Sequence, residues 1–154
     1  MEIEALTSKN RAIVHQVYDL FKKGDMDGVG RLLADDIDWH MEGPTDVFSF
    51  CGERKGRAAV VSMLRALVAE YVHLKHEPQF IIVDGAHACL FASARLRHRA
   101  SGQEVAADIC DLMEIADGKI VWFRELFDSH AAAEMITRTM GSQDSSKAGS
   151  ESGR

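Results

Sequence analysis

Two carboxylates in the C-terminal half of the chain, Asp111 and Glu125, have the residue type and the setting that proton transfer requires. Residues 109–115 and 123–127 alternate as β-strands do, with every second side chain on the same face. Each carboxylate therefore shares its face with apolar side chains, namely Ile109, Met113, Ile115, Phe123 and Phe127. Burial among apolar groups raises the pKa of a carboxyl, which suits a general acid or a hydrogen-bond donor.

Both carboxylates also have a structural interpretation. Asp111 can be satisfied by backbone groups or by a tyrosine in a binding pocket, so catalysis and binding are equal alternatives. Glu125 can instead form an ion pair with an arginine. The arginines available for that pair are Arg95, Arg97 and Arg124.

Two further polar residues are candidates for a chemical role. Tyr18 lies on a predicted helix, and Glu42 lies beside the Gly43-Pro44 turn. Tyr18 is more often a helix-edge residue with its hydroxyl at the rim of the core. Glu42 at such a turn is most often solvated. Trp39 and Met41 precede it on a predicted strand, and we expect them to line the core or a pocket wall.

The sequence predicts neither a metal site nor a cofactor. Its histidines form no spaced ligand set, and His73 with His76 alone is a weak metal signal. Cys51, Cys89 and Cys110 are an odd number of cysteines without CxxC spacing. We therefore expect free thiols in the reducing cytoplasm.

Composition and charge exclude several classes of protein. The chain has 154 residues, 46% hydrophobic and 27% charged, which is the balance of one globular domain. Its net charge of −6 argues against a nucleic-acid partner, because phosphate recognition requires a basic face. No apolar run approaches the roughly 20 residues of a membrane helix, so no membrane partner is expected.

The first half of the chain predicts helices with short strands between them. Apolar residues recur at helical spacing up to Gly24, and Asp25 caps a second, short helix. Gly28 and Gly30 weaken that helix by roughly 1 kcal/mol each relative to alanine, so it must depend on tertiary packing. The other predicted elements are a first helix from Thr7 or Ser8, strands at 36–41 and 47–51, and a helix after Gly56.

The second half of the chain predicts an antiparallel sheet. Asp84-Gly85, Ser101-Gly102 and Asp117-Gly118 are hairpin signals, because glycine supplies the positive φ that two-residue turns need. They divide residues 73–128 into a four-stranded meander, and a short helix follows at about 129–139. Helices followed by a long antiparallel sheet indicate an α+β fold.

Several segments together match the motifs of a known superfamily. They are Gly24-Asp25, Leu32-Leu33-Ala34-Asp35-Asp36, the strand to Gly43-Pro44, Gly56-Arg57-Ala58-Ala59-Val60, Asp117-Gly118-Lys119-Ile120-Val121 and Phe123-Arg124-Glu125-Leu126-Phe127-Asp128. The ensemble resembles the nuclear transport factor two-like superfamily, and its SnoaL-like and ketosteroid isomerase-like domains in particular. The resemblance implies a cone-shaped α+β barrel, with three N-terminal helices packed on a strongly curved, mainly antiparallel sheet and a short C-terminal helix.

The resemblance also implies a site and a partner. One domain would span residues 1–140, and its cone would hold a pocket for a small apolar or polyketide-like ligand. Asp111 would then act as acid or oxyanion donor, and Glu125 or Glu42 as base. Tyr18 would assist by hydrogen bonding. The expected pocket wall contains Tyr18, Trp39, Met41, Met113, Phe123 and Phe127. Many members dimerise through the outer sheet face, so a homodimer is expected.

Two branches of the superfamily with defined catalytic groups match less well. Against the ketosteroid isomerases, all three catalytic positions need a one-residue adjustment, and the base falls on Met41 without it and on Glu42 with it. Against the limonene epoxide hydrolases, Ala92-Ser93-Ala94 stands where those enzymes have an Arg-x-Asp pair. The SnoaL-like cyclases, which use a pocket carboxylate and no cofactor, remain the closest general resemblance.

Two functional hypotheses follow. The first is a cofactor-free isomerase, cyclase or lyase that moves a proton with pocket carboxylates. The alternative is a non-catalytic small-molecule-binding or dimeric structural module on the same fold. A tail at 141–154, with no apolar residue larger than alanine, is expected to be disordered.

Overall fold

The computed structural model describes residues 1–136, which form four helices and one six-stranded sheet. The expected tail at 141–154 and the last residues of the expected domain lie outside the described residues. The helices are α1 (Glu2–Lys22), α2 (Met26–Arg31), α3 (Arg57–Glu70) and α4 (129–136). The strands are β1 (Leu33–Met41), β2 (Gly52–Lys55), β3 (Tyr71–Asp84), β4 (His87–His98), β5 (Glu104–Ala116) and β6 (Lys119–Phe127).

Helix α1 begins earlier than predicted, at Glu2 rather than at Thr7 or Ser8. Acidic residues in the first turn favour a helix start, because they face its partial positive charge. The hydroxyl of Thr7 is used elsewhere, since its Oγ1 accepts a hydrogen bond of 2.9 Å from the backbone N–H of Gly85. Nearby, the buried Asn10 donates to the Gly85 carbonyl at 2.8 Å, so α1 is tied to the β3–β4 turn.

The end of α1 and the start of α2 follow the prediction, whereas α2 ends at Arg31, before Leu32 and Leu33, which were expected to belong to it. Gly24 has a φ of 76°, which glycine adopts without strain, and the chain leaves α1 there. The side chain of Asp25 then caps α2 by accepting a 2.7 Å hydrogen bond from Gly28 N. At the other end of the chain, Asp128 caps α4 by accepting from Ala131 N at 3.0 Å.

The strand predicted at 47–51 is wrong. Residues 45–50 form turns, because the N–H groups of Val47 and Phe48 bond back to the Pro44 carbonyl instead of to a neighbouring strand. Phe48 and Phe50 are nevertheless buried. Their alternation with polar neighbours suggested a strand. It instead reflects two aromatic side chains that pack into the core from a loop.

The predicted meander is confirmed as β3–β6, and the whole sheet has the order β2-β1-β6-β5-β4-β3. Strand β1 pairs in parallel with β6 and antiparallel with β2, so the N-terminal strands extend the meander. The turns at Gly85 and Gly118 have positive φ, as expected. The middle connection is longer than two residues, since β4 ends at His98 and β5 begins at Glu104.

The fold is the mainly antiparallel cone expected for this α+β class, with α1 and α3 against the curled sheet. Its core joins both layers, and Val14 and Val60 from the helices are as fully buried as Leu33 and Ile37 from β1. Within residues 1–136 no helix is long and apolar enough to cross a membrane.

Candidate functional site

A cavity of about 110 Å³ lies between the helices and the inner face of the sheet. One water molecule needs roughly 10–15 Å³ of such volume, so the space suits several waters or a small organic molecule. The wall is almost entirely apolar and aromatic. Its few polar or titratable side chains include Tyr18, His73, His76, Asp111 and Glu125.

Asp111 and Glu125 form a carboxyl pair in this wall. They lie directly opposite each other in the antiparallel pairing of β5 and β6, which brings opposite side chains about 5 Å apart at Cβ. Asp111 is 2% exposed, whereas Glu125 is half-buried and keeps part of its surface. Glu125 is therefore the more accessible member of the pair.

Tyr18 completes a three-residue network from the helical side of the cavity. It lies on α1, and its Oη donates a short hydrogen bond to Oδ2 of Asp111. Burial and the neighbouring carboxylates raise the pKa of Tyr18 well above its usual value, so the phenol keeps its proton at neutral pH. Tyr18 is thus a fixed donor to Asp111.

The surroundings of the two carboxyls favour one proton shared between them. Burial raises the pKa of Asp111 to about 6, and the hydrogen bond from Tyr18 acts in the opposite direction by stabilising its anion. Burial, together with the Asp111 charge, raises the pKa of Glu125 well above its usual range. The higher of the two pKa values belongs to Glu125, so a proton held by the pair favours Glu125 over Asp111, as expected for two acids held together in a low dielectric.

That proton also accounts for an otherwise unsatisfied atom. Oδ1 of Asp111 is buried and has no hydrogen-bond partner among the described residues. A proton on the neighbouring Glu125 would give Asp111 a second donor, next to the one from Tyr18. A buried carboxylate without donors would cost several kcal/mol, so the shared proton belongs to the structure of the site.

The apolar residues expected in the pocket wall all line the cavity. Trp39 stacks on Phe123 with ring centroids 3.7 Å apart, across the β1–β6 pairing. Phe127 meets Phe48 edge to face at 5.9 Å. The other expected wall residues along the cavity are Tyr18, Met41 and Met113.

Glu42, the other expected base, is placed elsewhere. It is not among the residues that line the cavity, and its carboxylate lies 3.5 Å from His40 Nε2 and 3.6 Å from Arg124 Nη1. Glu42 follows directly on Met41, which does face the cavity. Because strand neighbours point to opposite faces, Glu42 is turned away from the carboxyl pair.

His73 and His76 line the cavity, although the sequence indicated no role for them. In a regular strand, residues three apart point to opposite faces. The pairing of β3 with β4 shifts between His73 and Lys75, so Leu74 is an extra residue in a β-bulge. The bulge turns both histidines inward, and no local sequence signal marks it.

The described residues contain no cluster of three or more histidine, cysteine, aspartate or glutamate side chains able to hold a metal ion. The three cysteines are free, and Cys89 and Cys110 lie with their sulfurs 3.5 Å apart. Burial raises the pKa of Cys51 to about 12 and that of Cys89 to about 11, so neither thiol is a ready nucleophile at neutral pH.

The curled sheet with helices around an inner cavity is the architecture of the nuclear transport factor two-like superfamily. The sequence profile of the SnoaL-like domain matches residues 14–123, and the chain therefore belongs to the SnoaL-like domain family. A search of curated proteins finds no match.

Solved structures of several differently named proteins share the fold. An epoxide hydrolase of M. tuberculosis of the LEH-like type is 20% identical, with a TM-score of 0.70 over 89% of this chain and 96% of that chain. TerC, crystallised with polyporic acid, is 19% identical, with a TM-score of 0.73 over 84% and 98%. A candidate polyketide cyclase from Xanthomonas campestris pv. campestris is 19% identical, with a TM-score of 0.67 over 84% and 98%. At these identities the likeness shows the fold alone.

Proposed function

We propose that this protein is a cofactor-free enzyme that moves a proton on a small apolar carbonyl or polyketide-like molecule, as an isomerase, cyclase or lyase does. The observation that carries the proposal is the carboxyl pair Asp111–Glu125 in the wall of an apolar cavity, with Tyr18 bound to its buried member. The names of solved structures with the same fold, which include a candidate isomerase and a candidate polyketide cyclase, fit this range of chemistry.

The pair can both take up and release a proton. Glu125 keeps accessible surface and contacts the ligand. Asp111 is the more buried carboxyl and can carry the shared proton when Glu125 does not. With that proton on Asp111, the Glu125 carboxylate removes a proton from the carbon next to a carbonyl, and the electrons of the broken C–H bond form an enolate. The reverse step returns a proton to carbon. A positioned acid or base of this kind contributes roughly 10²–10⁴ in rate.

Exchange of carbon-bound hydrogen tests the proposal without knowledge of the natural substrate. We use 1-tetralone, a bicyclic apolar ketone, in deuterated buffer and follow loss of its hydrogens next to the carbonyl by NMR. We expect the wild-type protein to accelerate the exchange. Glu125→Gln and Asp111→Asn are each expected to slow it by about 100-fold or more, because each removes one place for the shared proton.

Matched controls are available on the same strand. Glu114→Gln and Asp108→Asn make the same chemical changes at exposed positions of β5, and both should exchange as the wild type does. Near-normal exchange by Glu125→Gln would refute the proposed role of the pair. Binding of 1-tetralone without any exchange would instead favour a non-catalytic small-molecule binder.

A further inference from the structure

His73 and His76 give the cavity a second polar region, apart from the carboxyl pair. We propose that these two histidines bind a second oxygen of the ligand, so that the site selects apolar molecules with hydrogen-bonding oxygens at two separated positions. The inference rests on the small-molecule site proposed above and narrows the class of molecule it takes.

The β-pairing separates the two polar regions. His76 pairs with Ala94 on β4, and Ala94 pairs with Ala107 on β5. Ala107 lies four residues from Asp111, which is roughly 13 Å of strand at about 3.3 Å per residue. The histidines and the carboxyl pair therefore approach the cavity from distant parts of the sheet.

Tyr18 spans the space between the two regions. Its hydroxyl reaches Asp111, while its ring stacks on the imidazole of His76 at a centroid distance of 5.6 Å and an angle of 20°. A ligand along the same direction can place one oxygen near Glu125 and another near His76. The two oxygens then occupy separate positions, one beyond the Tyr18 hydroxyl and one beside its ring, as on opposite ends of a fused two-ring frame.

The histidines are neutral, which suits them to bind an uncharged oxygen. Burial lowers the pKa of His73 to about 4 and also lowers that of His76. A neutral imidazole has one donor and one acceptor nitrogen, so it can serve a hydroxyl or a carbonyl. His73 packs edge to face on Phe21 at 5.1 Å, which fixes its ring without using its nitrogens.

One ring nitrogen lacks a partner. Nδ1 of His76 is buried and has no hydrogen-bond partner among the described residues. An unsatisfied buried polar atom costs free energy that a partner restores. The terminal torsion of histidine is broad, so a rotation of the imidazole can turn this nitrogen toward the cavity that the residue lines.

Three tetralones with the same carbon frame test the inference by isothermal titration calorimetry. We expect 5-hydroxy-1-tetralone, with oxygens at opposite ends, to bind about 10-fold tighter than 1-tetralone, as one further hydrogen bond allows. The isomer 8-hydroxy-1-tetralone has both oxygens at one end and should gain nothing. The doubly substituted His73→Phe, His76→Phe protein keeps aromatic rings at both positions but has no ring nitrogens there, so the preference should disappear.

His87→Phe is the matched control, because His87 is exposed at the start of β4, and it should keep the preference. The inference is overturned if the wild type fails to bind 5-hydroxy-1-tetralone or binds all three ketones equally, or if the doubly substituted protein keeps the preference. The deuterium exchange of 1-tetralone shows whether the proposed function or the role of the histidines has failed. An intact preference without exchange contradicts only the enzyme, whereas exchange without a preference contradicts only the role of the histidines.

Discussion

At the residue scale, the site is defined by two acids that share one proton and by a phenol that donates to one of them. Asp111 is the buried member and accepts from Tyr18, whereas Glu125 faces the cavity. Two carboxyls of similar intrinsic acidity acquire different roles here because their surroundings differ. The Tyr18 donor favours charge on Asp111, and the Asp111 charge then favours a proton on Glu125.

The raised pKa of Asp111 predicts how stability depends on pH. Folding raises the pKa of Asp111 from 3.8 to about 6, so between these values the folded protein holds a proton that the unfolded chain has released. The free energy of unfolding contributed by this group therefore falls as the pH rises, by roughly 3 kcal/mol in total. Asp111→Asn lacks the titrating group, and its stability relative to the wild type should improve by that amount from about pH 4 to about pH 7.

Urea denaturation at several pH values measures this difference. Asp108→Asn, on the exposed face of the same strand, should show no comparable trend relative to the wild type. A constant difference between Asp111→Asn and the wild type across the range would mean that Asp111 does not titrate with a raised pKa.

At the scale of elements, helix α2 shows how packing overrides propensity. Gly28 and Gly30 were expected to weaken it, yet both lie where a larger residue does not fit. A Cβ at Gly28 would lie 2.5 Å from the capping Asp25 carboxylate, and a Cβ at Gly30 would lie 2.8 Å from Cγ2 of Val61 on α3. The glycines therefore allow α2 to keep its cap and to approach α3 closely.

Gly30→Ala is accordingly expected to destabilise the protein by about 1–2 kcal/mol, although helix propensity alone predicts a gain of roughly 1 kcal/mol. The β-branched Val61 cannot easily move its Cγ2 away. In a Val61→Ala background that atom is absent, so the same substitution should become neutral or stabilising. Thermal or urea unfolding of the four proteins in a double-mutant cycle measures this coupling. A gain in stability from Gly30→Ala alone would show that the helices separate without cost.

At the scale of the whole molecule, the outer face of the sheet carries an apolar surface opposite the cavity. Phe80 and Ile82 on β3 are 50% and 58% exposed, and Phe80 stacks on Phe91 of β4 at 5.3 Å. Leu126 on β6 is also exposed. Because contiguous exposed apolar surface marks an interaction site, and because the resemblance implies dimers through this face, we propose that a second copy of the chain covers it.

The mass in solution tests the dimer. We expect light scattering after gel filtration to give twice the chain mass of 17.0 kDa for the wild type. Ile82→Lys should give the mass of one chain, since a lysine in an apolar interface is left unpaired. Leu6→Lys alters an exposed apolar residue on α1 and not on the sheet face, and it should leave the dimer intact. A monomeric wild-type protein would refute the proposed interface.

The sequence by itself determined most of the fold, because its signals are local. Strand alternation placed Asp111 and Glu125 each on one face of its strand with apolar neighbours. That both faces point inward was implied by the resemblance. Glycines at the turns and Asp25 at the start of α2 carry backbone requirements that single residues reveal. The aromatic and methionine residues of the cavity wall were expected from the resemblance to the superfamily and not from local signals.

Only the tertiary structure decided which polar groups meet. The opposition of Asp111 and Glu125 depends on the register between two strands, and the contact of Tyr18 with Asp111 joins residues 93 positions apart. A bulge at Leu74 turned His73 and His76 inward, and local turns replaced the strand expected at 47–51. Register, bulges and long-range contacts arise from packing the whole chain at once, so no window of sequence contains them.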